Sequence, residues 1–165
     1  MRRAVVTGLG FITSIGNSRD EVARSVREMR TGIEIFPELQ RPGVSVKLAG
    51  TVKGFTFPEL RSDEWTFPAG YEIPREQIRS MAPHGVYAFC AMQQAIADAR
   101  LPRELVSHPR TGAMCASGGS TWLLYEYLDL MIKRGVQRCH PMAMPASIAG
   151  TLNMNLTACF AIKGA

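Results

Sequence analysis

At 165 residues the chain is long enough for one domain with a buried core and too short for two comfortable ones. Its hydrophobic fraction of 46% and charged fraction of 20% are ordinary for a globular domain, and no apolar run approaches the ~18–20 residues of a membrane-spanning helix. The net charge of +5 permits an acidic partner, but no dense Lys/Arg run with interleaved aromatics points to nucleic acid.

The opening Met1-Arg2-Arg3-Ala4-Val5-Val6-Thr7-Gly8 is basic and then apolar. The apolar stretch is too short for a signal-peptide core, so a cytoplasmic location is expected. Residues 3–8 are predicted to form a short buried strand that ends in the Gly8-Leu9-Gly10 turn, whose glycines supply positive φ. Ser18-Arg19-Asp20-Glu21 is a capping box for the next helix. That helix puts Val22, Val26 and Met29 on one stripe, and Gly32 suits its stop. Residues 47–52 read as a second strand.

Residues 54–74 change character. Phe55, Phe57, Trp65, Phe67 and Tyr71 stand among Pro58, Pro68, Gly70 and Pro74. This pattern predicts a surface excursion with its own small aromatic cluster and no regular element. The clearest helix runs over residues 83–99, where Ala88, Ala91, Met92, Ala95, Ile96 and Ala99 form a narrow stripe suited to close packing on a sheet. A compact strand over 111–116 and the Ser117-Gly118-Gly119-Ser120 turn lead into another helix to about Arg134. A Pro- and Met-rich loop over 138–145 precedes a last helix, which starts near Ser147 and carries Ile148, Leu152 and Leu156. Alternating strands and helices indicate an α/β fold.

Chemistry is sparse on this reading. The four cysteines, Cys90, Cys115, Cys139 and Cys159, have no metal-site spacing, and reduced, mostly buried thiols are expected. His84, His108 and His140 each stand alone, which favours structural roles. Gly8-Leu9-Gly10 invites a dinucleotide-binding rival, a nucleotide-dependent oxidoreductase. Gly16 lies six residues after Gly10 where that fingerprint needs three, and no acidic residue ends a second strand at the right distance. The Ser117–Ser120 turn is neither a Walker loop nor a nucleophile elbow. Composition and spacing therefore stop at a cytosolic α/β domain with no visible nucleophile.

Several stretches go further. Residues 3–16, Arg3-Ala4-Val5-Val6-Thr7-Gly8-Leu9-Gly10-Phe11-Ile12-Thr13-Ser14-Ile15-Gly16, resemble the first strand and turn of the β-ketoacyl-[acyl-carrier-protein] synthases. Thr31-Gly32-Ile33 is similar to the segment after that family's first helix. Ala95-Ile96-Ala97-Asp98-Ala99, Arg110-Thr111-Gly112 and the Ser117–Ser120 turn follow in order. Pro141 through Pro145 to Phe160-Ala161-Ile162-Lys163-Gly164 resembles the approach to the catalytic strand. The likeness spans residues 1–165 and is nearest to the ketoacyl synthase I branch.

This resemblance implies a thiolase-like fold, of which the chain would be most of the first of two related α/β halves. It implies an acyltransferase without a cofactor or metal. An acyl carrier protein would be its partner, together with a homodimer or a heterodimer with a related synthase. The nucleophilic cysteine, two histidines and a lysine of the family lie beyond the matched stretch, so no catalytic residue falls within residues 1–165. Arg75 and Arg79 match positions that meet the acidic carrier protein, although Glu76 stands where a lysine is common. Gly119 matches a position that gates the acyl pocket. Ala143 and Met144 match residues that cross the dimer interface to line the partner's pocket. The rival from another class is a non-catalytic synthase-like partner or remnant that serves as a binding or dimerisation module.

Overall fold

The computed structural model describes residues 3–164, so Met1, Arg2 and Ala165 lie outside the description. No described helix is long and apolar enough to cross a membrane. The first helix, α1 (Arg19–Arg27), starts where the capping chemistry places it. Ser18 accepts the Glu21 N–H at 3.2 Å, and the Glu21 carboxylate accepts from Asn17 at 2.7 Å, one residue further back than a standard capping box. The helix ends before Gly32. Met29 adopts φ +51°, and the Arg30 N–H returns to the Ser25 carbonyl at 2.8 Å. Val26 and Met29 face solvent, and the buried residue is Ser25, whose hydroxyl donates to the Ile15 carbonyl. Gly32 instead presses on Ser14, whose carbonyl oxygen would lie 2.6 Å from an added Cβ.

β1 (Ile33–Ile35) and β2 (Leu48–Gly50) pair antiparallel, with Ile33 opposite Gly50 and Ile35 opposite Leu48. They are the only named strands among the described residues. The expected strands over 3–8 and 111–116 carry no ladder to any described residue. Val5 and Val6 are about four-fifths exposed, at 78% and 80%, and Met114 is fully exposed. Residues 111–118 nevertheless alternate half-buried and exposed, the period of a strand covered on one face. An apolar run becomes a buried strand only where neighbours supply hydrogen bonds on its edges and cover on its faces.

Close packing around α3 (Pro83–Asp98) organises the rest. Its alanine stripe receives the backbone of residues 8–10. A Cβ on Gly8 would meet the Ala99 nitrogen at 2.7 Å, and one on Gly10 would meet the Ala95 nitrogen at 2.9 Å. Neither glycine is in the positive-φ region, so proximity, not turn geometry, requires them. Side chains of α3 satisfy the loop that follows. Asp98 accepts from the Leu9 N–H, Gln94 accepts from the Phe11 N–H, and Gln94 donates to the Asn17 carbonyl and the Tyr71 hydroxyl.

The aromatics of 54–74 do not form a separate cluster. Thr56 bridges Thr66, Phe57 meets Trp65 edge-on at 5.1 Å, and Trp65 is buried. Phe55, Phe57, Phe67 and Tyr71 pack on the main core of Trp65, Ile78, Val86, Phe89, Cys90, Leu152 and Leu156. Burial of such large rings outweighs the local preference for an independent excursion. α2 (Arg75–Ile78) follows, and α4 (Arg103–Val106) is a further short turn. α5 (Thr121–Arg134) begins at Ser120, which caps the Leu123 N–H.

The expected loop over 138–145 contains the start of a short helix, α6 (Ala143–Ser147). Pro145 sits in its first turn, where a missing N–H costs nothing. Ile148 is extended and ends α6, so the last helix, α7 (Thr151–Phe160), starts four residues later than predicted. Ile148 is consequently exposed, whereas Leu152 and Leu156 are buried as expected.

Candidate functional site

α2 is a single turn set between Pro74 and the buried Ser80-Met81-Ala82 run. Ile78 points into the core and Arg75, Glu76 and Arg79 point out. Neither Arg75 nor Arg79 forms an ion pair with a described residue. Together they line a shallow depression with Ser62, Asp63 and Ile73. Asp63 is held below the usual carboxylate range by its hydrogen bond from Arg61, with Arg75 adding to the effect.

Arg79 also edges a cleft of about 380 Å³. Leu60, Trp65, Met81, Leu123 and Ala146 give this cleft an apolar lining, and Arg61, Arg138 and His140 share its wall with Arg79. Asp63 lines the cleft too and pairs with Arg61, which leaves Arg79 and Arg138 as the cations suited to an acidic partner that also presents an apolar side chain. Sequence reasoning missed Arg61, Arg138 and His140. Each is a lone polar residue in an irregular segment, and only the fold gathers them.

On the other side of Leu123 lies the glycine turn. Gly119 has φ +75°, its N–H donates to the Ser117 hydroxyl, and an added Cβ would stand 2.5 Å from the Ser147 carbonyl. The Ser120 N–H donates to that same carbonyl at 3.0 Å. The turn is thus locked to the end of α6. Ala143 and Met144 lie one turn earlier on α6 and diverge, since Ala143 is buried and Met144 is exposed. The structure therefore brings Gly119 against α6 and places Arg75 and Arg79 on the separate α2 edge.

The remaining chemistry is quiet. All four cysteines are free thiols. Burial pushes the Cys90 thiol up to about 12 and Cys159 up to about 11, and raises Cys115 as well. A thiol near 12 is ionised in about one molecule in ten thousand at pH 8, and the thiolate is the reactive form. Cys90 and Cys159 are therefore expected to resist iodoacetamide and acyl-thioester exchange at pH 8 and to react faster as pH rises. Digestion and mass spectrometry would read this, and rapid labelling of either at pH 8 would contradict it. His108 and His140 accept backbone N–H groups two residues on, from Arg110 and Met142, as turn caps. The Leu9 N–H in the glycine turn already donates to the Asp98 carboxylate, and the next helix starts only at Arg19.

A family model for the β-ketoacyl synthase N-terminal domain matches residues 1–164. The chain belongs to the β-ketoacyl synthase family. A 3-oxoacyl-[acyl-carrier-protein] synthase 1 from Haemophilus influenzae is 34% identical over 166 residues, covering 99% of this chain and 38% of the relative. Its counterpart from Escherichia coli is 35% identical over 167 residues with the same coverage. A crystal structure of a β-ketoacyl synthase from Burkholderia phymatum superposes with a TM-score of 0.79 at 24% identity, over 100% of this chain and 38% of that one. The ishigamide ketosynthase/chain length factor superposes with a TM-score of 0.69 at 21% identity, over 97% of this chain and 38% of the other. The fold is thus the thiolase-like fold of the ketosynthases, and this chain spans 38% of the length of these relatives.

Proposed function

We propose that residues 1–165 are the N-terminal part of a β-ketoacyl-[acyl-carrier-protein] synthase of fatty-acid or polyketide synthesis. In this reading they supply carrier-docking, acyl-pocket and dimer surfaces to an enzyme of the cytoplasm. The observation that carries it is the α2 turn, where Arg75 and Arg79 stand exposed and form no ion pair with a described residue, beside a cleft with an apolar lining. Two matched relatives are synthases named for the carrier protein.

The reaction is a decarboxylative Claisen condensation. A cysteine thiolate takes the acyl group from a carrier thioester. Loss of CO₂ from a malonyl thioester leaves a carbanion, whose developing oxyanion two histidines stabilise. The carbanion then attacks the acyl carbon of the acyl-enzyme, forming the new C–C bond as the acyl–sulfur bond breaks and the cysteine thiolate leaves. The buried thiol of Cys90 and the part-buried thiol of Cys159, both pushed up by desolvation, do not suit the nucleophile's role. In this reading the nucleophilic cysteine and the two histidines lie outside residues 1–165. Gly119 leaves the pocket entrance free of a side chain, and Ala143 and Met144 serve the wall and the subunit contact, with the same protein or a related synthase as partner.

The test is the charge reversal Arg75→Glu/Arg79→Glu. It is expected to weaken binding of an acyl carrier protein by about 1–3 kcal/mol, and wild-type binding is expected to weaken as salt rises. Fluorescence anisotropy with labelled carrier reads both. Unchanged affinity at low ionic strength would overturn the docking reading.

A further inference from the structure

The turn that carries the two arginines is tied to α7 by a buried polar pair. Ser80 is 6% exposed and Asn155 is 3% exposed. Ser80 Oγ lies 2.7 Å from Asn155 Oδ1 and 2.8 Å from the Gln77 carbonyl, and Asn155 Nδ2 donates to the Ser80 carbonyl at 3.0 Å. The bonds are reciprocal and join residues 75 apart in sequence. Ile78, Leu152 and Leu156 are buried in the elements that this pair joins. Apolar side chains at 80 and 155 would suit such a core, so hydrophobic burial alone does not explain a polar pair here. What hydrogen bonds add is direction.

α2 needs that direction. It has four residues, too few to be stable as an isolated helix, and its N-cap Pro74 provides no side-chain hydrogen bond. Arg79 precedes Ser80 directly, and Arg75 lies four residues before Arg79, on the same face. Fixing the Ser80 carbonyl and hydroxyl therefore restrains the residue directly after Arg79, and the Ser80 N–H also donates to the Gln77 carbonyl at 3.0 Å. The anchor itself is firm. Asn153, two positions before Asn155 and thus on the opposite side of α7, accepts from the Cys115 N–H at 2.9 Å.

We propose that Asn155 is a positioning residue for carrier docking: acting through Ser80, it holds α2 so that Arg75 and Arg79 engage the acidic partner together. The proposal rests on the docking reading above. Its test is the double variant Ser80→Ala/Asn155→Leu in the full chain. Removing both side chains leaves the Ser80 carbonyl without its Asn155 donor, so the melting temperature is expected to fall modestly while the variant stays folded. Labelled acyl carrier protein is expected to bind about five- to tenfold more weakly, with a shallower salt dependence.

On an Arg75→Ala/Arg79→Ala background the same double variant is expected to add little, since the groups it positions are gone. A general structural defect would weaken both backgrounds equally. Should the double variant not fold, Ser80→Ala alone retains the Asn155 amide bond and is expected to weaken binding about two- to threefold. Wild-type affinity and salt slope in a folded double variant, or in Ser80→Ala where that is the usable one, would overturn the positioning role. If charge reversal of Arg75 and Arg79 weakens binding in the same assay, the docking reading survives that result. If charge reversal has no effect, both fall.

Discussion

Gly10→Ala is expected to destabilise the chain by on the order of 3 kcal/mol or more. The added methyl would fall on the Ala91 carbonyl, 2.8 Å from its carbon and 2.9 Å from the Ala95 nitrogen. All of these are backbone atoms inside α3, so no side-chain rotation relieves the overlap. Residues 8–10 would have to lift from the helix, which would also stretch the bonds from Leu9 to Asp98 and from Phe11 to Gln94. Gly118→Ala is the control, since nothing lies within 4 Å of its added methyl and its φ is not in the positive region. That change is expected to be neutral or slightly stabilising, by up to about 1 kcal/mol. Urea titration in dilute solution, followed by the fluorescence of buried Trp65, measures both. Equal midpoints for the two variants would show that residues 8–10 do not sit on α3 as described.

The chain studied by itself is expected to bind a hydrophobic dye and to associate as its concentration rises. α5 carries Tyr125, Leu128 and Ile132 on one exposed stripe, with Ile132 80% exposed, and Met114, Val5 and Val6 add further uncovered apolar surface. At ~25 cal/mol per Å², a few hundred Å² of such surface corresponds to several kcal/mol of unrealised burial. That is comparable with a domain's whole stability of about 5–15 kcal/mol, and patches of this size drive association. Tyr125→Glu/Ile132→Lys is expected to reduce both dye binding and association, as read by sedimentation velocity. A wild-type chain that sediments as a single monomer at all concentrations and excludes the dye would refute this expectation.

Both expectations draw on features that a linear reading only half reveals. The alanine stripe of α3 was legible because its spacing repeats within one helix. Its occupant was not, because Gly10 and Ala91 are 81 positions apart. Gly8 and Gly10 look like a turn with positive φ, yet their need for hydrogen in place of a side chain comes from the helix beneath them. Trp65 and its neighbouring aromatics look like a self-contained excursion because prolines and glycines punctuate them. Their rings pack both on one another and on the main core that holds Val86, Phe89 and Leu156. The cleft beside α2 was invisible for the same reason. Arg61, Arg138 and His140 have no common period, and Arg79 alone among its basic residues was chosen in advance.

By itself the sequence determined the features whose cause is local. Ser18 and Ser120 start helices because their side chains reach an N–H three residues away, and the second half of α3 is a run of good helix formers from Ala91 to Ala97. It also determined the family, since the matching residues lie in order along the chain. The tertiary structure alone decided which faces are buried, that residues 3–8 and 111–116 form no ladder with a described residue, and that Ser80 meets Asn155. Those outcomes depend on contacts between residues tens of positions apart. Hydrogen bonds within a helical turn can be read from neighbouring residues, whereas burial depends on what the rest of the chain brings to the same place.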